Sequence, residues 1–130
     1  MTRTLKLTLA AFAAIAIGVP AGAAAQGSMS VDAALAKKGK SVFANRGCAT
    51  CHAFGKQLAG PDLVGVMQRR DHDWLRRWLL NTTEMIASDS LAMAMVAEYK
   101  GTKMPNMKLQ PADVDALFHY MQQETDKGKK

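Results

Sequence analysis

Apolar and polar positions divide the chain into an N-terminal apolar block, several stretches with helical period, and loops between them. From Val31 to about Arg46, residues Leu35, Gly39, Val42 and Phe43 recur at three- and four-residue steps, which predicts a helix. Gly47 sits where a helix commonly ends. The stretch Phe54 to Val66 reads as a loop, because Gly55, Gly60, Pro61 and Gly65 break any period. Asp71 can cap a second helix running to about Leu80, with Trp74, Leu75, Trp78 and Leu79 on its apolar side. Ser88 or Asp89 starts a third, carrying Leu91, Met95, Val96 and Tyr99 and stopping at Gly101. Thr102 to Leu109 is irregular around Met104-Pro105. Pro111 suits the first turn of a last helix with Val114, Leu117, Phe118 and Met121 at helical spacing, although Gln110 is a mediocre cap. No stretch alternates with the two-residue period of a strand, and there is no internal repeat. The pattern predicts a small all-α domain with long connecting loops.

The first 25 residues do not count toward that domain. Arg3 and Lys6 precede an apolar run from about Leu7 to Val19, and Ala23-Ala24-Ala25 offers the small residues that a signal peptidase reads. The run is about 13 residues, short of the roughly 20 that a spanning helix needs. A secretory signal over residues 1–25, cut after Ala25, is therefore expected, leaving a mature domain of residues 26–130 without a transmembrane span. Within it, residues 26–30 read as a flexible entry and 126–130 as a frayed basic tail. The expected address is the periplasm.

Composition changes the picture in two ways. The net charge of +6 includes the leader; without Arg3 and Lys6 the chain has 15 basic and 11 acidic residues, about +4, a modest excess that suits solubility or an acidic partner surface. An exported protein with this charge is not expected to bind nucleic acid. Aromatic residues make up only 6% of the chain, so protein alone gives a thin core. Small domains commonly supplement such a core with a staple or a cofactor.

The chemistry concentrates at Cys48-Ala49-Thr50-Cys51-His52. These are the only two cysteines, and a disulfide between them would close a loop too small to constrain the unfolded chain. Cys-x-x-Cys-His is the attachment signature of c-type haem, with two thiols for the porphyrin vinyl groups and a following histidine for the iron. A thioredoxin-like pair would need a strand before the motif and a βαβ context. A zinc site would need a second pair of ligands, and His72 and His119 lie far apart. The motif thus predicts one covalent haem c, held through Cys48 and Cys51, with His52 as an axial iron ligand.

Methionine sulfur suits the other axial position of an electron-transfer haem and raises its potential. Most of the nine methionines read otherwise. Met85, Met93, Met95 and Met121 lie on helical patterns and suggest packing, while Met67 is placed to line a haem pocket without binding iron. Met104 and Met107 fall in the irregular loop, where Pro105 holds Met104 extended and stiffens its surroundings. Met104 is the favoured ligand and Met107 the fallback; His119 is the leftover alternative.

The chain resembles the class I, monohaem cytochrome c family of bacteria. The matching pieces occur in order: Gly39-Lys40-Ser41-Val42-Phe43, Cys48 to His52, Gly60-Pro61-Asp62-Leu63, Met104-Pro105-Asn106, and Val114-x-x-Leu117-x-x-Tyr120. The resemblance implies a few helices wrapped around one covalent haem c. It implies that the first and last helices cross, with Gly39 and Phe43 against Phe118 or Tyr120. It also implies that the Pro61 carbonyl accepts a hydrogen bond from the other nitrogen of His52. The segment Asp71 to Leu79 is similar to cytochromes encoded beside periplasmic oxidoreductases, although Asn81-Thr82 stands where a proline often follows the asparagine. Trp74 and Trp78 are placed to line the pocket, to bond a propionate, or simply to pack.

With both axial sites filled, the expected function is carrying single electrons between a donor and an acceptor protein, not enzymatic catalysis. The alternatives are an electron-transfer subunit within a periplasmic oxidoreductase complex, and a catalytic or sensing haem with a labile sixth ligand. Lys40, Arg46, Lys56, Lys103 and Lys108 flank the haem segments and can form a ring that steers an acidic partner. Arg69-Arg70 and Arg76-Arg77 are candidate propionate partners or solvated charges.

Overall fold

The computed structural model describes residues 29–128. The expected leader over residues 1–25, its cut after Ala25, positions 26–28 and the last two residues of the basic tail lie outside the described residues. Among the described residues six α-helices form and there is no strand.

Helix α1 (Ala33–Asn45) begins two residues later than its apolar period suggests. The cause is Asp32, whose carboxylate accepts the Ala34 and Leu35 N–H groups at 2.8 and 2.9 Å. These are two of the donors that a helix start leaves without a partner in the helix. Gly47 then turns the chain with φ 73° into a single 3₁₀ turn at Cys48–Thr50. After a loop come the one-turn helix α2 (Val66–Arg69) and α3 (His72–Leu80), which Asp71 caps through the Trp74 N–H.

The segment after Leu80 does not run straight to the third expected helix. Thr82–Ser88 forms a separate α4, and Asp89 caps α5 (Ser90–Glu98) through the Ala92 N–H at 2.9 Å. Sequence period misses α4 because Thr82, Thr83 and Glu84 give its first turn no apolar stripe. Helix α5 also differs from expectation on its apolar side: Leu91 and Met93 are 38% and 47% exposed, and only Ala92 is fully buried. It ends in a left-handed turn at Lys100 (φ 55°), one residue before Gly101, whose N–H returns to the Val96 carbonyl at 2.8 Å.

Helix α6 (Pro111–Lys127) starts with Pro111 as expected. Gln110 is rescued as a start by Asp113, whose carboxylate accepts its backbone N–H at 3.1 Å. The helix continues through Lys127, two residues into the segment expected to fray, because Thr125 is buried and donates to the Met121 carbonyl.

The most extensive helix pair is α1 with α6. A Cβ at Gly39 would fall 2.0 Å from the Ala116 carbonyl oxygen and 2.8 Å from Tyr120 Cβ, so only glycine lets the two backbones approach this closely. Phe43 meets Tyr120 edge-on at 5.5 Å, which selects Tyr120 rather than Phe118 as the aromatic partner. Phe118 instead packs against His72 and beneath Arg76. A hydrogen bond from Asp32 N–H to His119 Nδ1 at 3.0 Å ties the start of α1 to the same helix.

Two caps carry a pH prediction. Asp32 and Asp89 are held below the ordinary carboxylate value, chiefly by the Leu35 and Ala92 N–H bonds respectively. A depressed folded value means that their contribution is complete above the unfolded value of about 3.9 and is lost as pH falls through the folded values. Thermal midpoints measured between about pH 6 and 2 should decline on the acid side. The decline should be shallower in Asp32→Asn and Asp89→Asn, which keep an acceptor but do not ionise; an unchanged slope refutes the assignment.

Candidate functional site

One apolar cleft of about 450 Å³ collects the chemistry. Phe43, Val66, Trp74, Leu75, Trp78, Leu117 and Met121 supply its walls, and Cys48, Cys51, His52 and Met104 all line it. The walls come from α1, α2, α3 and α6, so the cleft occupies the place where these helices would otherwise meet. Met95 and Val96 of α5, with Tyr99 just past its end, add a further side.

The 3₁₀ turn explains how two cysteines three positions apart reach the same cleft. The Cys51 and His52 N–H groups both return to the Cys48 carbonyl, at 3.2 and 3.0 Å. The thiols are not paired with each other. Burial pushes the Cys48 thiol above its ordinary value, opposite to the depression that activates a redox Cys-x-x-Cys.

His52 has a defined orientation. Its Nδ1 lies 2.9 Å from the Pro61 carbonyl oxygen. A carbonyl only accepts, so Nδ1 carries the proton and Nε2 presents its lone pair. Gly60 lies against the ring, where a Cβ would fall 2.4 Å from Cε1, and its N–H donates to the Cys51 carbonyl at 2.8 Å.

The methionines separate. Met104 and Pro105 line the cleft, whereas Met107 packs half-buried against the core outside it. Met67, expected to line the pocket, is fully buried and lies outside the cleft lining, because the single turn of α2 points Val66 there instead. Met93, expected to pack, is largely exposed. His119 and His72 are both away from the cleft, engaged with Asp32 N–H and with the Met67 carbonyl at 2.9 Å.

Trp74 and Trp78 both line the cleft and stack on each other, with ring centroids 5.5 Å apart and planes within 9°. The Trp74 indole N–H donates to Asp89 at 3.2 Å, tying α3 to the start of α5. Arg76 is engaged by Asp115 at 2.5 Å. Arg69 and Arg70 line the cleft.

Sequence period does not reveal the polar bonds behind the cleft. Gln122 and Thr125 are buried on α6; the Gln68 amide donates to Gln122 at 2.6 Å, and Gly65 N–H donates to Thr125 Oγ1 at 2.8 Å. The Asp62 carboxylate accepts the Gly55 and Val64 N–H groups, both at 2.8 Å. The Gly60-Pro61-Asp62-Leu63 motif marks this loop, but not what each residue does.

The donor set fits a covalent haem: two thiols, an imidazole with a free Nε2 lone pair and a thioether, facing one apolar cleft. Residues 36–125 match the sequence model of the cytochrome c family, and the chain belongs to that family. It is all-α with the class I cytochrome c fold and takes one covalent haem c with its iron; Cys48 and Cys51 stand at the spacing this attachment uses. It is an electron-transfer haem protein.

Among solved structures, cytochrome c from Rhodothermus marinus is 32% identical over 82% of this chain and 91% of its own, with a TM-score of 0.70. An engineered cytochrome c from the same organism, bound to a carbene intermediate, is 31% identical over 81% of this chain and 91% of its own, with a TM-score of 0.65. The cytochrome c domain of a Pseudomonas putida protein is 39% identical over 70% of this chain and 91% of its own, with a TM-score of 0.63. The search of curated proteins finds no match.

Proposed function

We propose that this chain is an exported, periplasmic monohaem cytochrome that carries single electrons between protein partners, with His52 and Met104 as the axial iron ligands. The observation that carries the reading is the convergence of Cys48, Cys51, His52 and Met104 on one apolar cleft. When bound, haem supplies a one-electron couple. Cys48 and Cys51 anchor it through thioethers. His52 would offer Nε2 while Pro61 holds its Nδ1 proton, and Met104 would offer its thioether sulfur. The stacked tryptophans would give the haem an apolar wall, which lowers the local dielectric on that side.

Arg70 is assigned to a haem propionate. Arg76 is engaged by Asp115, the Trp74 N–H by Asp89 and the Arg69 guanidinium by loop carbonyls, whereas among the described residues the Arg70 guanidinium lines the cleft with only a 3.3 Å bond to its neighbour's carbonyl. Export rests on the basic and apolar leader over residues 1–25, cut after Ala25, with residues 26–130 as the mature domain. No helix among the described residues is long and apolar enough to cross a membrane. Docking on an acidic partner rests on Lys103 at the cleft with exposed Lys40, Lys56 and Lys108; Arg46 is partly diverted by Asp113 at 3.7 Å.

The test of the ligand set is the ferric far-red band that reports sulfur on iron. It should be present in the native protein, absent in Met104→Leu and retained in Met107→Leu. Replacing sulfur by an open position should also lower the reduction potential. A band that survives Met104→Leu, or rapid uptake of carbon monoxide by the native reduced protein, overturns the assignment.

A further inference from the structure

The loop that presents Pro61 to His52 is held by more bonds than one carbonyl needs. Asp62 Oδ1 gathers the Gly55 and Val64 N–H groups at 2.8 Å each, joining the two ends of the loop across Pro61. From the other side, the Arg69 guanidinium donates through Nη2 to the Asp62 carbonyl at 2.9 Å and through Nη1 to the Val64 carbonyl. Arg69 belongs to α2, which is itself fixed to α6 through Gly65–Thr125 and Gln68–Gln122. A continuous set of bonds therefore runs from the longest helix to the carbonyl that orients His52.

We propose that Asp62 and Arg69 are positioning residues that set the reduction potential, by fixing how strongly the Pro61 carbonyl holds the His52 Nδ1 proton. The proposal rests on His52 being an axial ligand. A stronger bond at Nδ1 makes Nε2 a better electron donor, as outer partners of ligating histidines do generally. A better donor favours the ferric state and lowers the potential, so loosening the brace raises it. Neither residue has to touch haem to do this. Asp62 carries a further sign of the arrangement: its carboxyl is held below the ordinary value, first by the Val64 N–H bond and then by the Gly55 bond and the Arg69 charge.

Charge alone would also move the potential, and the choice of variants removes that effect. Asp62→Asn and Asp62→Ala lose the same negative charge, but only asparagine keeps an oxygen that can accept both N–H groups. Arg69→Lys keeps the positive charge and loses the planar fork. Measured on the haem-loaded proteins, Asp62→Ala should sit above Asp62→Asn, by on the order of a tenfold change in the ferric-to-ferrous ratio at fixed ambient potential. That is about 59 mV for a one-electron couple. The His52 Nδ1 proton, followed by NMR, should exchange with solvent faster in Asp62→Ala than in Asp62→Asn. Equal potentials in the two Asp62 variants overturn the proposal. If Asp62→Ala fails to take up haem, Arg69→Lys decides against native protein: a raised potential supports the brace and an unchanged one overturns it. Failure of the underlying ligand assignment is separately visible, as a His52→Ala protein that retains the native ligand-field spectrum.

Discussion

A Cys48→Ala, Cys51→Ala variant is expected to lose covalent haem and, with it, most of its cooperative structure. The walls of the cleft are also the core: Phe43, Val66, Trp74, Leu75, Trp78, Leu117 and Met121 belong to both. A dry cleft of about 450 Å³ left unfilled costs on the order of 10 kcal/mol at about 24 cal/mol per Å³. This is an upper bound, because the cleft opens to solvent, but it is comparable with the roughly 5–15 kcal/mol that stabilises a whole domain. Flooding the cleft instead wets two tryptophans and a phenylalanine. The double variant should give no haem stain on a denaturing gel, a far-UV helical signal well below that of native protein, and no sharp thermal transition. Full helicity with a cooperative melt would show that the helices stand without their cofactor.

The same overlap of core and cofactor site explains what was legible in the sequence. Cys48 to His52 is a local signal, readable because the residue types stand at a fixed spacing, and Met104-Pro105 is a loop signal whose methionine lines the cleft. Helices α1, α3 and α6 have clear apolar stripes or start signals and were equally legible. Helix α4 is not, since its first turn is polar and what it buries is Thr82 within that turn and Met85 after it. Leu91 and Met93 misled because a hydrophobic residue implies burial only when tertiary structure covers it. The side-chain bonds Asp62–Gly55, Arg69–Val64 and Gln68–Gln122 join positions between five and 54 apart, and no period encodes such pairs. Trp74 shows the same limit: its spacing leaves lining the pocket, bonding a propionate and plain packing all open, and its choice of Asp89 depends on where α4 turns the chain.

Gly39→Ala should destabilise the protein strongly, and the sign of the effect is what makes it informative. Alanine inside a helix ordinarily improves on glycine by about 1 kcal/mol, so local propensity predicts a more stable protein. The crossing of α1 and α6 predicts the reverse. The added methyl would lie 2.0 Å from the Ala116 carbonyl oxygen and 2.6 Å from its carbon, both backbone atoms that no rotamer change can move. The helices must separate, which loosens Phe43 from Tyr120 and Phe54 from Tyr120. It also shifts Leu117 and Met121 in the cleft wall. Overpacking of this kind costs about 3 kcal/mol, the upper end of the usual range, because the obstacle is rigid. At about 4–8 °C per kcal/mol for a domain near this size, the thermal midpoint should fall by more than about 10 °C. Gly128→Ala is the control: the nearest atom to its added methyl is 3.6 Å away, so its midpoint should stay close to native. A Gly39→Ala protein as stable as native, or more so, would mean that the two helices do not cross at this residue.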